Sequence, residues 1–161
     1  MSLDQHLQPT GSRTPTGSRT PPGSRRERAD AVYRRLFGWP VQWRAGHPFL
    51  SLENGICAAT LPKMSAAPIL ARLAATGCQG PATVIPTPQG QRVAVLAETD
   101  GLIPLQSTLP RAVEVLAWGA LLPLPLDPQR GDPGTEWLVA PDPQRRWLPS
   151  LDAVLAAVHR Q

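Results

Sequence analysis

The chain has 161 residues, enough for one domain of ordinary size, and a formal net charge of +4. No apolar run approaches the ~18 residues of a membrane span, and the N-terminus has no hydrophobic stretch of the secretory kind, so the sequence predicts a cytoplasmic protein with no membrane partner. The charge is uneven: residues 1–28 carry five arginines against Asp4 and Glu27, or +3, which leaves +1 for residues 29–161 and little charge signal for a nucleic-acid face there.

The first 28 residues hold a hexapeptide repeat, Thr10 to Pro15 and Thr16 to Pro21, with a decayed third copy from Pro22. The repeat has no apolar residue, so burial cannot offset the entropy of ordering, and the segment 1–28 is expected to be disordered. Two roles fit its chemistry, a loose phosphate-binding arm or a Ser/Thr-Pro phosphorylation segment at Thr14 and Thr20, beside that of a plain solvated extension.

The domain is expected over residues 29–161. "ADAVYRRLF" sets Ala29, Val32, Tyr33 and Leu36 on one helical stripe, closed by Gly38. "WPVQW" (39–43) alternates as a half-buried strand does, Phe49 to Leu52 reads as a short strand, and Asn54-Gly55 launches the apolar strand "NGICAATL" (54–61). Pro62 stops that strand. Ser65 to Thr76 reads as a helix capped by Ser65, with Pro68 in its first turn and Gly77 at its end. "ATVIP" and "RVAVLAE" are two strands joined by a Pro/Gly elbow. Leu109 to Ala117 reads as a third helix, Gly119 to Leu124 and "TEWLVA" (135–140) as strands, and Ser150 to His159 as a Ser-capped last helix. This order predicts an α+β domain with one mostly antiparallel mixed sheet and helices packed on it.

Chemistry is sparse. Cys57 and Cys78 lack paired spacing and read as reduced thiols in or near the core. His6, His47 and His159 stand beside no nucleophile, and no motif of a hydrolase, P-loop or dinucleotide site is present. Asp127, Asp132 and Glu136 flank one Pro/Gly loop, where a metal cluster is the alternative to a solvated rim. Trp39, Trp43, Trp118 and Trp137 offer either packing or base stacking.

The order of four short stretches resembles a family, the N-terminal domain of bifunctional DNA primase/polymerases of the archaeo-eukaryotic type, and in particular its short actinobacterial members. The stretches are "GWPV" after a helix, "NGICAATLP" followed by "APILARL", "TPQGQRVAVL", and "GALLPLPLDPQRGDPGTEWL". The resemblance implies a primase/polymerase-like fold. It also implies where the chemistry would sit. The family's Asp-x-Asp, which holds Mg²⁺ or Mn²⁺ against an incoming triphosphate, falls on Thr60 and Pro62. The family's phosphate-contacting His falls on Val93, and its third acid falls near Val113, with Glu114 one residue away. The implied protein is therefore a degenerate member with no catalytic residue and no cofactor. In the matching loop Thr87, Gly90 and Arg92 keep the family's pattern and are the candidate nucleic-acid-binding residues.

Three functions follow. The first is a small nucleic-acid- or protein-binding regulatory protein on a degenerate primase/polymerase-like domain, with DNA or a nucleotide as ligand. The second is an active metal-dependent nucleotidyl transferase using displaced acids such as Glu114, Asp127 and Glu136. The third is an adaptor that takes a protein partner through its tail.

Overall fold

Three apolar runs set the centre of the molecule. Ile56–Pro62, Ala82–Thr87 and Gly90–Glu98 are strands β3, β4 and β5, and their middles are buried on both faces, which is why they read as continuous rather than alternating apolar sequence. The computed structural model describes residues 23–129 and 132–159. The remaining elements are a helix α1 (Arg25–Asp30) that continues as a π-helical turn (Ala31–Leu36), β1 (Val41–Arg44), β2 (His47–Ser51), α2 (Lys63–Ala75), a 3₁₀ turn (Gln106–Thr108), β6 (Glu114–Leu116), β7 (Leu121–Pro123), β8 (Glu136–Val139) and α3 (Leu151–His159).

The fold is α+β. The single sheet expected from the sequence is in fact two, both antiparallel: a five-stranded sheet in the order β6-β3-β5-β4-β8, and a three-stranded sheet β1-β2-β7. Alternate residues of the large sheet feed two cores. Cys57, Ala59, Leu61, Val93 and Val95 face α2 and α3, where Ile69, Leu73, Val154 and Val158 close the first core. Ala58, Ala94, Leu96 and Ile85 face the small sheet and the N-terminal helix, where Tyr33, Trp39, Leu50 and Leu122 close the second. Every buried side-chain polar atom among the described residues has a hydrogen-bond partner.

Turn chemistry fixes the hairpins. Ala45-Gly46 joins β1 to β2 and Asn54-Gly55 leads into β3; both pairs have positive φ at each residue, the twist that matches a two-residue hairpin. Gly77, at φ +72, ends α2 in a Schellman motif: the Cys78 N–H donates to Leu73 O at 2.9 Å and the Gly77 N–H to Ala74 O at 3.1 Å.

Three local expectations change. The first helix begins at Arg25 rather than Ala29, because Ser24 and Glu27 form a reciprocal capping box that starts it inside the basic segment assigned to the tail. The second begins at Lys63, directly after β3, so Pro62 is the N-cap, Ser65 caps nothing, and Pro68 lies inside the helix. The third helix, Leu109 to Ala117, is absent. That stretch is an irregular loop and the edge strand β6, with Val113 and Val115 turned to the first core, Leu116 to the second, and Glu114 exposed. Pairing with Ala58–Thr60 across the sheet edge outweighs the helical spacing. The last helix is capped as expected, the Ala153 N–H donating to Ser150 Oγ at 3.2 Å. The two full copies of the repeat lie outside the described residues, as does the rest of residues 1–22.

Candidate nucleic-acid interface

The elbow between β4 and β5 is a tight hairpin. Thr87 pairs with Gly90 across Pro88-Gln89, Gly90 has φ +116, and the Thr87 hydroxyl donates to Gly90 O at 2.7 Å. Arg92 lies on the face shared by Thr60 and Pro62, since Pro62 pairs with Arg92 and Thr60 with Ala94. Its guanidinium is committed to the fold. Nη2 donates to Thr60 O at 3.0 Å, Thr60 Oγ1 at 3.1 Å and Ala112 O at 2.7 Å, and Nε donates to Thr60 Oγ1 at 3.3 Å. Thr87, Gly90 and Arg92 therefore sit close together, with their polar groups spent on turn and strand geometry.

The positions that the resemblance assigns to catalysis divide. Thr60 and Pro62 share one face, and Glu114 joins them as the cross-strand partner of Thr60. Val93 faces the opposite way, fully buried against α2 and α3. The displaced acids are not assembled. Glu114 is on β6 and Glu136 on β8, the two edges of the five-stranded sheet. Four strand spacings of about 4.8 Å put them roughly 19 Å apart, too far to share one ion. Glu136 is 3.3 Å from Lys63 Nζ, and Asp132 Oδ2 accepts from the backbone N–H groups of Leu126 and Asp127, organising the loop they flank. No group of three or more His, Cys, Asp or Glu able to hold a metal occurs among the described residues.

A different site is built at the N-terminal helix. Arg26, Arg34 and Arg35 lie on one side of α1 and its π-helical continuation, and with Trp43 of β1 they line a cleft of about 590 Å³. The Arg26 guanidinium stands 4.8 Å from the centre of the Trp43 ring, a cation–π distance. Asp30 fixes the arrangement: its Oδ1 accepts from Trp43 Nε1 at 3.1 Å and lies 3.2 Å from Arg34 Nε. Arg34 also donates to Val41 O, tying the helix to β1. Arg35, in the cleft lining, and Arg44, at the end of β1, are exposed and have no ion pair among the described residues.

The cleft lining holds Arg26, Arg34 and Arg35 against Glu27 and Asp30, a net +1; charge is also uneven along the sequence. Residues 1–44 hold eight arginines and three acids, a net +5, whereas residues 45–161 carry −1. The sequence reading missed the site because it assigned Arg25, Arg26 and Arg28 to the tail. The signal was present in the i, i+8 and i+9 spacing of Arg26, Arg34 and Arg35, but their meeting with Trp43 is a tertiary event.

Of the other tryptophans, Trp39 and Trp137 are packing residues, 6.4 Å apart and both against Tyr33. Trp118 is 74% exposed. Both cysteines are free thiols, Cys57 buried and Cys78 half-buried. No helix among the described residues is long and apolar enough to cross a membrane. Comparison of the chain with family models, curated proteins and solved structures finds no match.

Proposed function

We propose that this protein binds nucleic acid through the basic, aromatic face of its N-terminal helix, on a domain of primase/polymerase-like ancestry that has lost its metal chemistry, in a cytoplasmic setting. The observation that carries the reading is a cleft in which Arg26 covers an indole and Arg34 and Arg35 line the wall, within a segment, residues 23–44, whose six arginines and two acids leave a net +4. Arginines supply phosphate contacts, and a guanidinium–indole pair is a surface on which a base stacks. The ancestry is supported by β3 running straight into α2 and by the Thr87–Arg92 hairpin, and the loss of chemistry by Thr60 and Pro62 where metal-holding acids would stand.

The test is anisotropy of labelled single-stranded and duplex oligonucleotides with the full chain over a salt series. Binding should weaken steeply with salt, and Arg26→Glu with Arg35→Glu, both in the cleft lining, should lower affinity at least tenfold. Absence of binding at low salt, or indifference to charge reversal, overturns the proposal. Primer extension with Mg²⁺ or Mn²⁺ would instead favour a working nucleotidyl transferase.

A further inference from the structure

A second surface has the opposite character. Two clefts, of about 380 and 240 Å³, share Thr99 and Asp100 as a common wall. Glu98, Asp100 and Asp152 line the first and Glu53 and Asp100 the second, with no Lys, Arg or His in either lining. None of these four acids is ion-paired among the described residues. Leu102 and Trp118, lining one cleft each, are 79% and 74% exposed, and Leu105, just beyond Pro104, is 73% exposed.

The backbone holds this apolar rim in place. Trp118 has φ +49 and Gly119 φ +82, in a turn closed by the Gly119 N–H donating to Leu52 O at 2.7 Å. A bulky residue in the left-handed region costs about 1–2 kcal/mol, so the fold spends stability to keep an indole in water. Asn54, at φ +54, lines the same cleft.

We infer that this groove docks a basic segment of a partner protein, with apolar side chains seated on Trp118 and Leu102 and Arg or Lys opposite Asp100 and Asp152. The acids repel a phosphate backbone and an anionic membrane, which leaves a cationic, partly apolar peptide as the complementary occupant. This surface shares no residue with the basic cleft at the N-terminal helix and stands independently of the nucleic-acid reading.

The probe is a fluorescein-labelled peptide of alternating Arg and Leu, titrated with the full chain and followed by anisotropy. Its Glu–Leu counterpart is the control. The Arg–Leu peptide should bind and the Glu–Leu peptide should not. Trp118→Gly, which suits the left-handed backbone and removes only the indole, should weaken binding at least tenfold with no fall in melting temperature. The pair Asp100→Asn and Asp152→Asn should do the same, while Asp142→Asn, outside the groove, should leave affinity intact. Failure of the Arg–Leu peptide to bind, equal binding of the Glu–Leu peptide, or indifference to both groove variants overturns the inference. So does self-association abolished by Trp118→Gly, which makes the occupant a second copy. Displacement by a synthetic peptide of residues 1–22 at lower concentration than unlabelled Arg–Leu peptide makes it the chain's own N-terminal segment, which also overturns a partner.

Discussion

Arg92 and Thr60 are joined across two antiparallel strands, the guanidinium Nη2 lying 3.0 Å from the Thr60 carbonyl oxygen and 3.1 Å from its hydroxyl. The same nitrogen reaches Ala112 O at 2.7 Å, so one side chain ties β5 to β3 and to the loop before β6. Arg92→Ala should lower stability by about 1–3 kcal/mol, read as a lower urea midpoint at unchanged slope. Arg92→Lys should recover little of the loss, because one ammonium cannot reproduce the fork.

Tyr33 is the polar centre of the second core. Its hydroxyl donates to Pro125 O at 2.7 Å and accepts from Trp137 Nε1 at 3.2 Å. Tyr33→Phe should cost about 1–3 kcal/mol, since a buried carbonyl and an indole N–H both lose their partner. Denaturation followed by tryptophan fluorescence measures it.

Gly80 lies under Pro149. A β-carbon there would meet Pro149 Cγ at 2.7 Å and Leu96 O at 3.0 Å, and Pro149 is itself held by its carbonyl accepting from the Glu98 N–H at 2.8 Å. Gly80→Ala should destabilise by roughly 1–3 kcal/mol or more, as overpacking does. An unchanged melting temperature would show that the β5–α3 junction yields freely.

The two thiols should behave differently. Burial, with the Glu98 carboxylate as the smaller cause, pushes the Cys57 thiol up to about 11 from an ordinary value near 9. A thiol reagent at pH 8 should therefore modify Cys78 quickly and Cys57 only after unfolding. The raised value also makes stability fall with alkali. The contribution of Cys57 is complete below about pH 9, is lost as pH rises through about 11, and amounts to roughly 2–3 kcal/mol. Cys57→Ala should flatten the stability–pH curve over that window. Burial raises the Tyr33 phenol as well, so a further loss beginning near pH 10 should persist in the variant.

The strands of the large sheet were legible because Ile56–Pro62 and Gly90–Glu98 are apolar on both faces, a pattern that needs no knowledge of neighbours. α3 was legible from Leu151, Val154, Leu155 and Val158, one face buried in the first core. The stretch 109–117 misled because Leu109, Val113 and Leu116 satisfy a helical spacing, while Val113, Glu114 and Val115 also alternate. Nine residues do not decide between the two periods, and the open edge of β3 does. The split into two sheets was hidden for the same reason: nothing local tells β2 to pair with β7, some seventy residues on. At the sites, the Asn-Gly and Pro/Gly turns announced themselves through residues that accept positive φ. The cleft of Arg26 and Trp43, and the groove of Trp118 and Leu102, depend on side chains brought together only by packing.

The helix that carries the basic face also carries Ala29 and Tyr33, both fully buried. Grip on its outer side and order on its inner side are thus one mechanical unit. An anion held by Arg26 and Arg35 would clamp the second core shut, and a ligand at a hundred times its dissociation constant would add about 2.7 kcal/mol to the work of unfolding. Heat resistance then becomes a gauge of occupancy. A chain shortened past residue 36 should lose that gauge together with the core that reports it.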